Sequence, residues 1–407
     1  MNVRRSAAVL AAVAVIGAAT PAAAAPSPSP SQALPSALYG DKDPTYDGVW
    51  RQSLALLAQD TAGVKPAAKS VQWLVRQQCA DGSFAAYRPD PTTACDARTL
   101  LDTNATSAAV QALTALGGHD DTARKAVGWL KAVQNEDGGW GYAPGGASDT
   151  NSTSVVVGAL AAAGEKPDQV VKDGKSPYDA LLKLALPCGG DGDGAFAFQP
   201  DKKGELAANA DATAAGVLGA MGKGMVVEPG KKAGKKSDAT CEKAATPRQA
   251  AANGAGYLTA ALAKDGNHLM SALAGAEPQP DFGNTADAVV ALAAQGNTAQ
   301  AEKSVRWLEK NSASWAAQSG PAAYAQLIFA AHATGTNPRD FGGADLVRQL
   351  GATGPAPQSA GKTTSGAADE KEDSGSGFFG VWWYVGVCLV AGIGIGFLFT
   401  GRKKQQL

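Results

Sequence analysis

The chain has 407 residues, 45% of them hydrophobic, and a formal net charge of -1. That length suits one large domain or two small ones beside short accessory segments. The near-neutral charge excludes a phosphate-backbone binder, which needs a basic excess, so no nucleic-acid partner is expected.

Residues 1–25 open with Arg4 and Arg5, run apolar from Ala7 to Ala19 and close on Ala-x-Ala near Ala22 to Ala24. This is the pattern of a cleaved secretory signal. A Pro/Ser-rich leader follows over 26–33, and the folded part is expected over 34–351. Two kinds of helix alternate there. "YDGVWRQSLALLAQ" comes first, then the amphipathic "KSVQWLVRQQCADGSF" (Lys69 to Phe84), which carries Trp73 on its buried face and closes on an Asp-Gly turn. Asp102 to Leu116 is apolar on nearly all sides, as a buried helix must be. "KAVGWLKAVQNEDGGW" (Lys125 to Trp140) then repeats the amphipathic pattern, matching Trp129 to Trp73 and Gln134 to Gln78. Asp149 to Ala163, Asn209 to Met221, Asn284 to Ala294 and "PAAYAQLIFAAHATG" continue the buried kind. Ala251 to His268, Ala301 to Trp315 and a last segment near Asp345 to Leu350 continue the amphipathic kind. Six inner helices, with six outer partners that include these five, predict an all-α fold, an (α/α)6 toroid of six hairpins in which each hairpin needs its neighbours to bury its face.

Beyond the toroid, residues 352–377 are rich in Gly, Ser, Pro and charge and read as a disordered stalk. Residues 378–400 are apolar and long enough, at about 1.5 Å per residue, to cross a hydrocarbon core of roughly 30 Å. Trp382, Trp383 and Tyr384 suit the outer interface, and Arg402, Lys403 and Lys404 in the tail 401–407 suit the inner one. The expected placement is a single-pass cell-membrane protein, with the folded domain extracytoplasmic and the tail in the cytoplasm.

Cys79, Cys95, Cys188 and Cys241 lie in the folded part and Cys388 in the anchor. An even number outside the membrane predicts disulfides, and of the three pairings the most local joins Cys79 to Cys95 and Cys188 to Cys241. No Cys-x-x-Cys pair supports zinc, and His119, His268 and His332 are scattered, so no metal site is expected. "DGDG" (Asp191 to Gly194) lacks the further spaced ligands of a calcium loop and reads as a Gly-rich turn.

The Gln-x-x-Asp-Gly-x-(Trp/Phe) stretches, Gln78 to Phe84 and Gln134 to Trp140, resemble the repeat of the terpenoid cyclase and protein prenyltransferase superfamily. The resemblance implies the α/α toroid, a fold shared with the vitamin B12 carriers and the thioester domains of complement proteins. The Gln amides are expected to satisfy carbonyls at outer-helix ends while the aromatic rings pack over the turns, tying adjacent hairpins together.

In an alternating toroid the N-termini of the inner helices converge on one mouth. Asp102, Asn104 and Thr106 stand two residues apart at one such start, and Asp149, Asn151 and Thr153 at the next. Asn209, Asp211 and Thr213 form a third group, while Asp281, Asn284 and Thr285 mark a fourth. Two readings stay open: repeated N-capping, which accounts for one polar residue per helix, and a ligand-facing ring, in which all three are candidate ligand contacts.

The resemblance also tests catalysis. Cyclases that begin by protonating their substrate carry Asp-x-Asp-Asp-Thr-Ala at this position, with the middle carboxyl as the acid. Only Asp211 keeps it here, without neighbouring carboxylates in sequence. "HDDTA" (His119 to Ala123) falls at an outer-helix start and reads as a coincidence. Aromatic faces on the inner helices are limited to Trp50, Tyr324 and Phe329. The prenyltransferase Asp-x-Cys zinc pair and the Gly-Cys-Gly-Glu-Gln thioester are missing.

The leading expectation is therefore binding without catalysis or cofactor. A small molecule, a corrinoid by resemblance to the B12 carriers, would be held at the barrel mouth and presented to a membrane transporter. A separate protein would supply the β-rich cap those carriers possess. The alternatives are an extracytoplasmic terpenoid cyclase or prenyltransferase-like enzyme using Asp211, and an envelope protein- or polysaccharide-binding module using the Lys-rich insert 223–240.

Overall fold

A computed structural model describes residues 34–229, 241–271 and 277–358. The expected signal, leader, anchor and tail, most of the expected stalk and residues 230–240 of the Lys-rich insert lie outside the described residues. Among the described residues no helix is long and apolar enough to cross a membrane.

Six helices form the inner ring: α1 (Gly48–Thr61), α3 (Thr103–Leu116), α5 (Thr150–Ala162), α7 (Ala210–Ala220), α9 (Phe282–Gln295) and α12 (Pro321–Thr334). Each packs on the next, and α12 closes on α1. Small residues permit this closeness. A Cβ at Gly216 would stand 2.6 Å from the Phe196 ring, and one at Gly219 would meet Ser154 of α5. The outer partners are α2 (Ala68–Arg76), α4 (Asp120–Ala132), α6 (Pro177–Leu184), α8 (Pro247–Lys264), α10 (Thr298–Asn311) and α13 (Leu346–Ala352), each packed on its inner helix. The fold is thus mostly helical and toroidal, as the alternating pattern predicts.

Three features differ from the sequence reading. A short helix, α11 (Ala313–Ser319), stands between α10 and α12. Strands β1 (Leu269–Ser271) and β2 (Gln279–Asp281) pair antiparallel ahead of α9. Helix α8 begins at Pro247, four residues before the segment predicted from the repeat, because Thr246 accepts from the Gln249 N–H and Pro247 suits the first helical position.

The repeat turns tie hairpins together as expected. The Gln78 amide donates to the Gly82 carbonyl at 3.0 Å and, across to the start of α4, to the Thr122 carbonyl at 2.8 Å. The Gln134 amide does the same with Gly138 at 2.8 Å and Val170 at 3.2 Å. Trp140 is buried, and its indole N–H reaches the Leu130 carbonyl at 2.7 Å. Gly82, at φ +98°, lies so close to α4 that a Cβ would fall 2.3 Å from the Lys125 carbonyl oxygen. Disulfides join Cys79 to Cys95 and Cys188 to Cys241, the most local pairing.

Candidate functional site

The polar triplets at the inner-helix starts separate into three jobs. The first residue of each is a cap. Asp102 accepts from the Ala105 N–H at 2.8 Å, Asp149 from Ser152 at 2.6 Å, Asn209 from Ala212 at 2.8 Å and Asp281 from Asn284 at 3.0 Å. These bonds satisfy N–H groups that have no acceptor within the helix.

The third residue is a stitch. The Thr106 hydroxyl accepts from the Phe84 N–H at 3.0 Å and donates to the Asp102 carbonyl at 2.7 Å. Thr153 accepts in the same way from Trp140 at 3.0 Å, Thr213 from Phe196 at 2.9 Å and Thr285 from Leu269 at 2.9 Å. Helices α3, α5, α7 and α9 are thereby sewn to the turn or strand that precedes them. The pattern also reassigns "DGDGAF": Asp193 to Phe196 is a third copy of the Asp-Gly-x-aromatic turn, with the Phe196 N–H on Thr213. The cap and stitch positions, Asp102, Thr106, Asp149, Thr153, Asn209, Thr213 and Asp281, are outside the cavity lining, and their bonds are those of the capping alternative. These groups bond to the fold's own backbone, and Asp102 bonds to the Tyr142 side chain as well.

Only the middle residue faces the ring interior. Asn104, Asn151 and Asp211 line one cavity of about 150 Å³. On α9 the middle position is Gly283, between Asp281 and Thr285, and not Asn284. Asn284 is outside the lining and donates to Asp281 Oδ2 at 2.7 Å. The polar wall is completed by Asp287 of α9 and Gln326 of α12, while α1 supplies Trp50, so every inner helix contributes. Leu54, Val155, Leu218, Val290 and Phe329 make the remaining lining largely apolar. Tyr324, the third aromatic candidate, is buried away from the lining.

Two carboxyls dominate the wall chemically. Asp211 accepts from the Asn151 amide at 2.8 Å, and Asp287 accepts from the Gln326 amide at 2.9 Å. Both keep some area open to the cavity while the helices around them withhold bulk water. Burial pushes Asp211 up to about 6, and the charges of Asp281 and Asp149 push in the same direction. Burial pushes Asp287 up to about 8, with Asp211 the main charged contributor. The carboxylate neighbours missing around Asp211 in sequence are thus supplied in space by other helices, the ordinary way that buried like charges retain a proton. Asn104 is 4% exposed and its Oδ1 is unpartnered, as are Asn151 Oδ1 and Gln326 Oε1.

Asp287 and Gln326 were missed in the sequence because neither belongs to a repeated motif. Asp287 did leave a signal, as the one ionisable side chain within α9. The histidines do not gather. His268 stacks on Trp307 with ring centroids 4.1 Å apart, and His332 lies 3.6 Å from Glu228. Among the described residues no group of His, Cys, Asp and Glu could hold a metal ion. In the Lys-rich insert, Lys223 and Met225 line the cavity and Val227 is buried, so the described part is not simply a solvated loop.

Residues 44–187 match the sequence profile of the prenyltransferase alpha-alpha toroid domain. Drimenyl diphosphate synthase from Streptantibioticus cattleyicolor is 32% identical over 137 residues, which are 33% of this chain and 24% of that protein. Squalene–hopene cyclase from Alicyclobacillus acidocaldarius is 30% identical over 138 residues, 31% of this chain and 22% of that protein. The chain therefore spans about a quarter of the length of the curated relatives it matches. A solved structure of ent-copalyl diphosphate synthase from Streptomyces platensis aligns with a TM-score of 0.45 at 14% identity, covering 71% of this chain and 50% of that one. Drimenyl diphosphate synthase and squalene–hopene cyclase are terpene cyclases and not B12 carriers, which corrects the expected branch. The first part of the helical ring, residues 44–187, is thus similar to the prenyltransferase alpha-alpha toroid domain.

Proposed function

We propose that the cavity takes an isoprenoid and that the Asp211 and Asp287 pair supplies the proton that starts its cyclisation. The observation that carries this reading is the pair itself, two half-buried carboxyls lining a largely apolar cavity, each with its proton affinity raised. A carboxylic acid protonates an alkene only if it is still protonated at the working pH and shielded from water, and burial provides both. Asp211, at the helix position where proton-initiating relatives carry their acid, would give its proton to a terminal double bond. Asp287, held by Gln326 and raised further, would stand beside it as a second protonated carboxyl. The carbocation would travel past the Trp50 and Phe329 rings, whose faces attract positive charge, and end by losing a proton.

The test is incubation of the full chain with farnesyl and geranylgeranyl substrates, followed by mass-spectrometric search for cyclised product. Asp211→Asn is expected to lower the rate by about 10²-fold or more. Activity should be greatest at acidic pH and decline as pH rises from about 6 to about 8, through the raised values of the pair.

A second reading, capture of a small molecule without catalysis, is favoured by the unpartnered acceptors of Asn104, Asn151 and Gln326, which a ligand bearing N–H or O–H groups would satisfy. The extracytoplasmic tether and a transporter or capping partner belong to that reading. Ligand binding by a chain that converts no prenyl substrate would favour it.

A further inference from the structure

The chain leaving α7 crosses the ring before it moves outward. After Gly222, the Met225 N–H donates to Gln111 Oε1 of α3 at 2.9 Å. On α5, a Cβ at Gly158 would stand 2.8 Å from the Gly224 Cα and 3.2 Å from the Lys223 carbonyl oxygen. Val227 is buried, and Glu228 lies 3.6 Å from His332 Nε2 of α12. The segment thus reaches from α7 past α5 and α3 to α12 as a strap, pressed onto α5 through two glycines with no side chain between the backbones.

The strap and the acid pair bound the same cavity. Asp211 is the second residue of α7, whereas Lys223, Gly224 and Met225 follow its last turn, and all four line the cavity. The eleven residues of α7 separate the two ends by about 15 Å. Of the strap's lining side chains, Met225 is the apolar one. It is partly buried against the core, while Lys223 is exposed and Gly224 has no side chain. A packed wall yields poorly to extra methylenes, and this one is fixed by backbone contact and by Gln111.

We infer that the strap is a length gauge, with Met225 setting how long a prenyl chain fits between the acid pair and the far wall. The inference rests on the isoprenoid reading above. With the reacting end at Asp211, the rest of the chain runs down α7 toward Met225. A ligand one isoprene unit too long must displace the Met225 side chain or withdraw from the acid.

The experiment measures calorimetric affinities of the full chain and of Met225→Ala and Met225→Phe for geraniol, farnesol and geranylgeraniol, with melting curves to confirm that both variants fold. Met225→Ala should favour the longest alcohol over the shortest by about tenfold or more relative to the unmodified chain. Met225→Phe should shift the preference the opposite way. An unchanged order of affinities in both variants overturns the gauge and leaves the isoprenoid reading standing. Failure of the unmodified chain to bind any of the three alcohols overturns both.

Discussion

At the residue scale, neighbours in one triplet carry separate duties, and substitution should separate them. Asp149 caps α5 and Thr153 stitches it to Trp140, whereas Asn151 faces the cavity and holds Asp211. Asp149→Ala should cost about 1 kcal/mol of stability, and Thr153→Val about 1–3 kcal/mol because it strands the buried Trp140 N–H. Neither should change ligand affinity by more than the folded fraction accounts for. Asn151→Ala should do the reverse, weakening ligand binding about tenfold or more while the melting temperature moves little. Equal losses of binding and stability across all three would return the triplets to capping alone. The acid pair makes a second prediction at this scale. A carboxyl whose folded-state value is raised stabilises the fold fully below its ordinary value of 3.8, and that stability is lost as pH rises through the folded value, about 8 for Asp287. Asp287→Asn keeps a neutral side chain at every pH. It should therefore melt a few °C higher than the unmodified chain at pH 8, with the gap closing toward pH 4, as followed by thermal melts across that range.

At the element scale, the Asp-Gly-x-aromatic turn works as a joint. Its glycine takes a left-handed conformation and lies against the carbonyl of a neighbouring outer element, Lys125 for Gly82 and Ser176 for Gly138. A side chain at either place is resisted twice, by its own backbone angle and by an immovable carbonyl. Gly82→Ala and Gly138→Ala should each cost about 2–3 kcal/mol in denaturant unfolding. Gly145→Ala is the control, since its φ is also positive, +74°, and nothing lies within 4 Å of a built Cβ. It should cost less. A cost equal to that of Gly82 would mean that conformation, and not the close approach, accounts for the repeat's glycine.

At the scale of the whole molecule, the ring closes only when α12 meets α1, so stability is shared among hairpins that bury one another's faces. The two disulfides brace stretches of this ring that lack regular structure. Cys79–Cys95 pins the long loop between α2 and α3, and Cys188–Cys241 holds the connection on either side of α7, with sequence separations of 16 and 53. Reduction should lower stability by about 2–5 kcal/mol per bridge, and on chain entropy alone the wider loop should lose more. Melting of Cys79→Ser with Cys95→Ser beside Cys188→Ser with Cys241→Ser would show which bridge matters more.

The sequence by itself determined the toroid. Alternating buried and amphipathic helices, the turn motif and an even set of cysteines are local patterns, and each reports its own surroundings because periodicity follows burial directly. It also located the polar triplets at the inner-helix starts, and left caps and a ligand ring as equal readings of them. Which polar groups share a cavity was decided only by the tertiary structure. Asp211 and Asp287 stand 76 residues apart on different helices, and Gln326 enters from a third beside a position where Gly283 offers no side chain. The pull of one buried carboxyl on another depends on distance and on the water withheld between them, and neither is written in residue order.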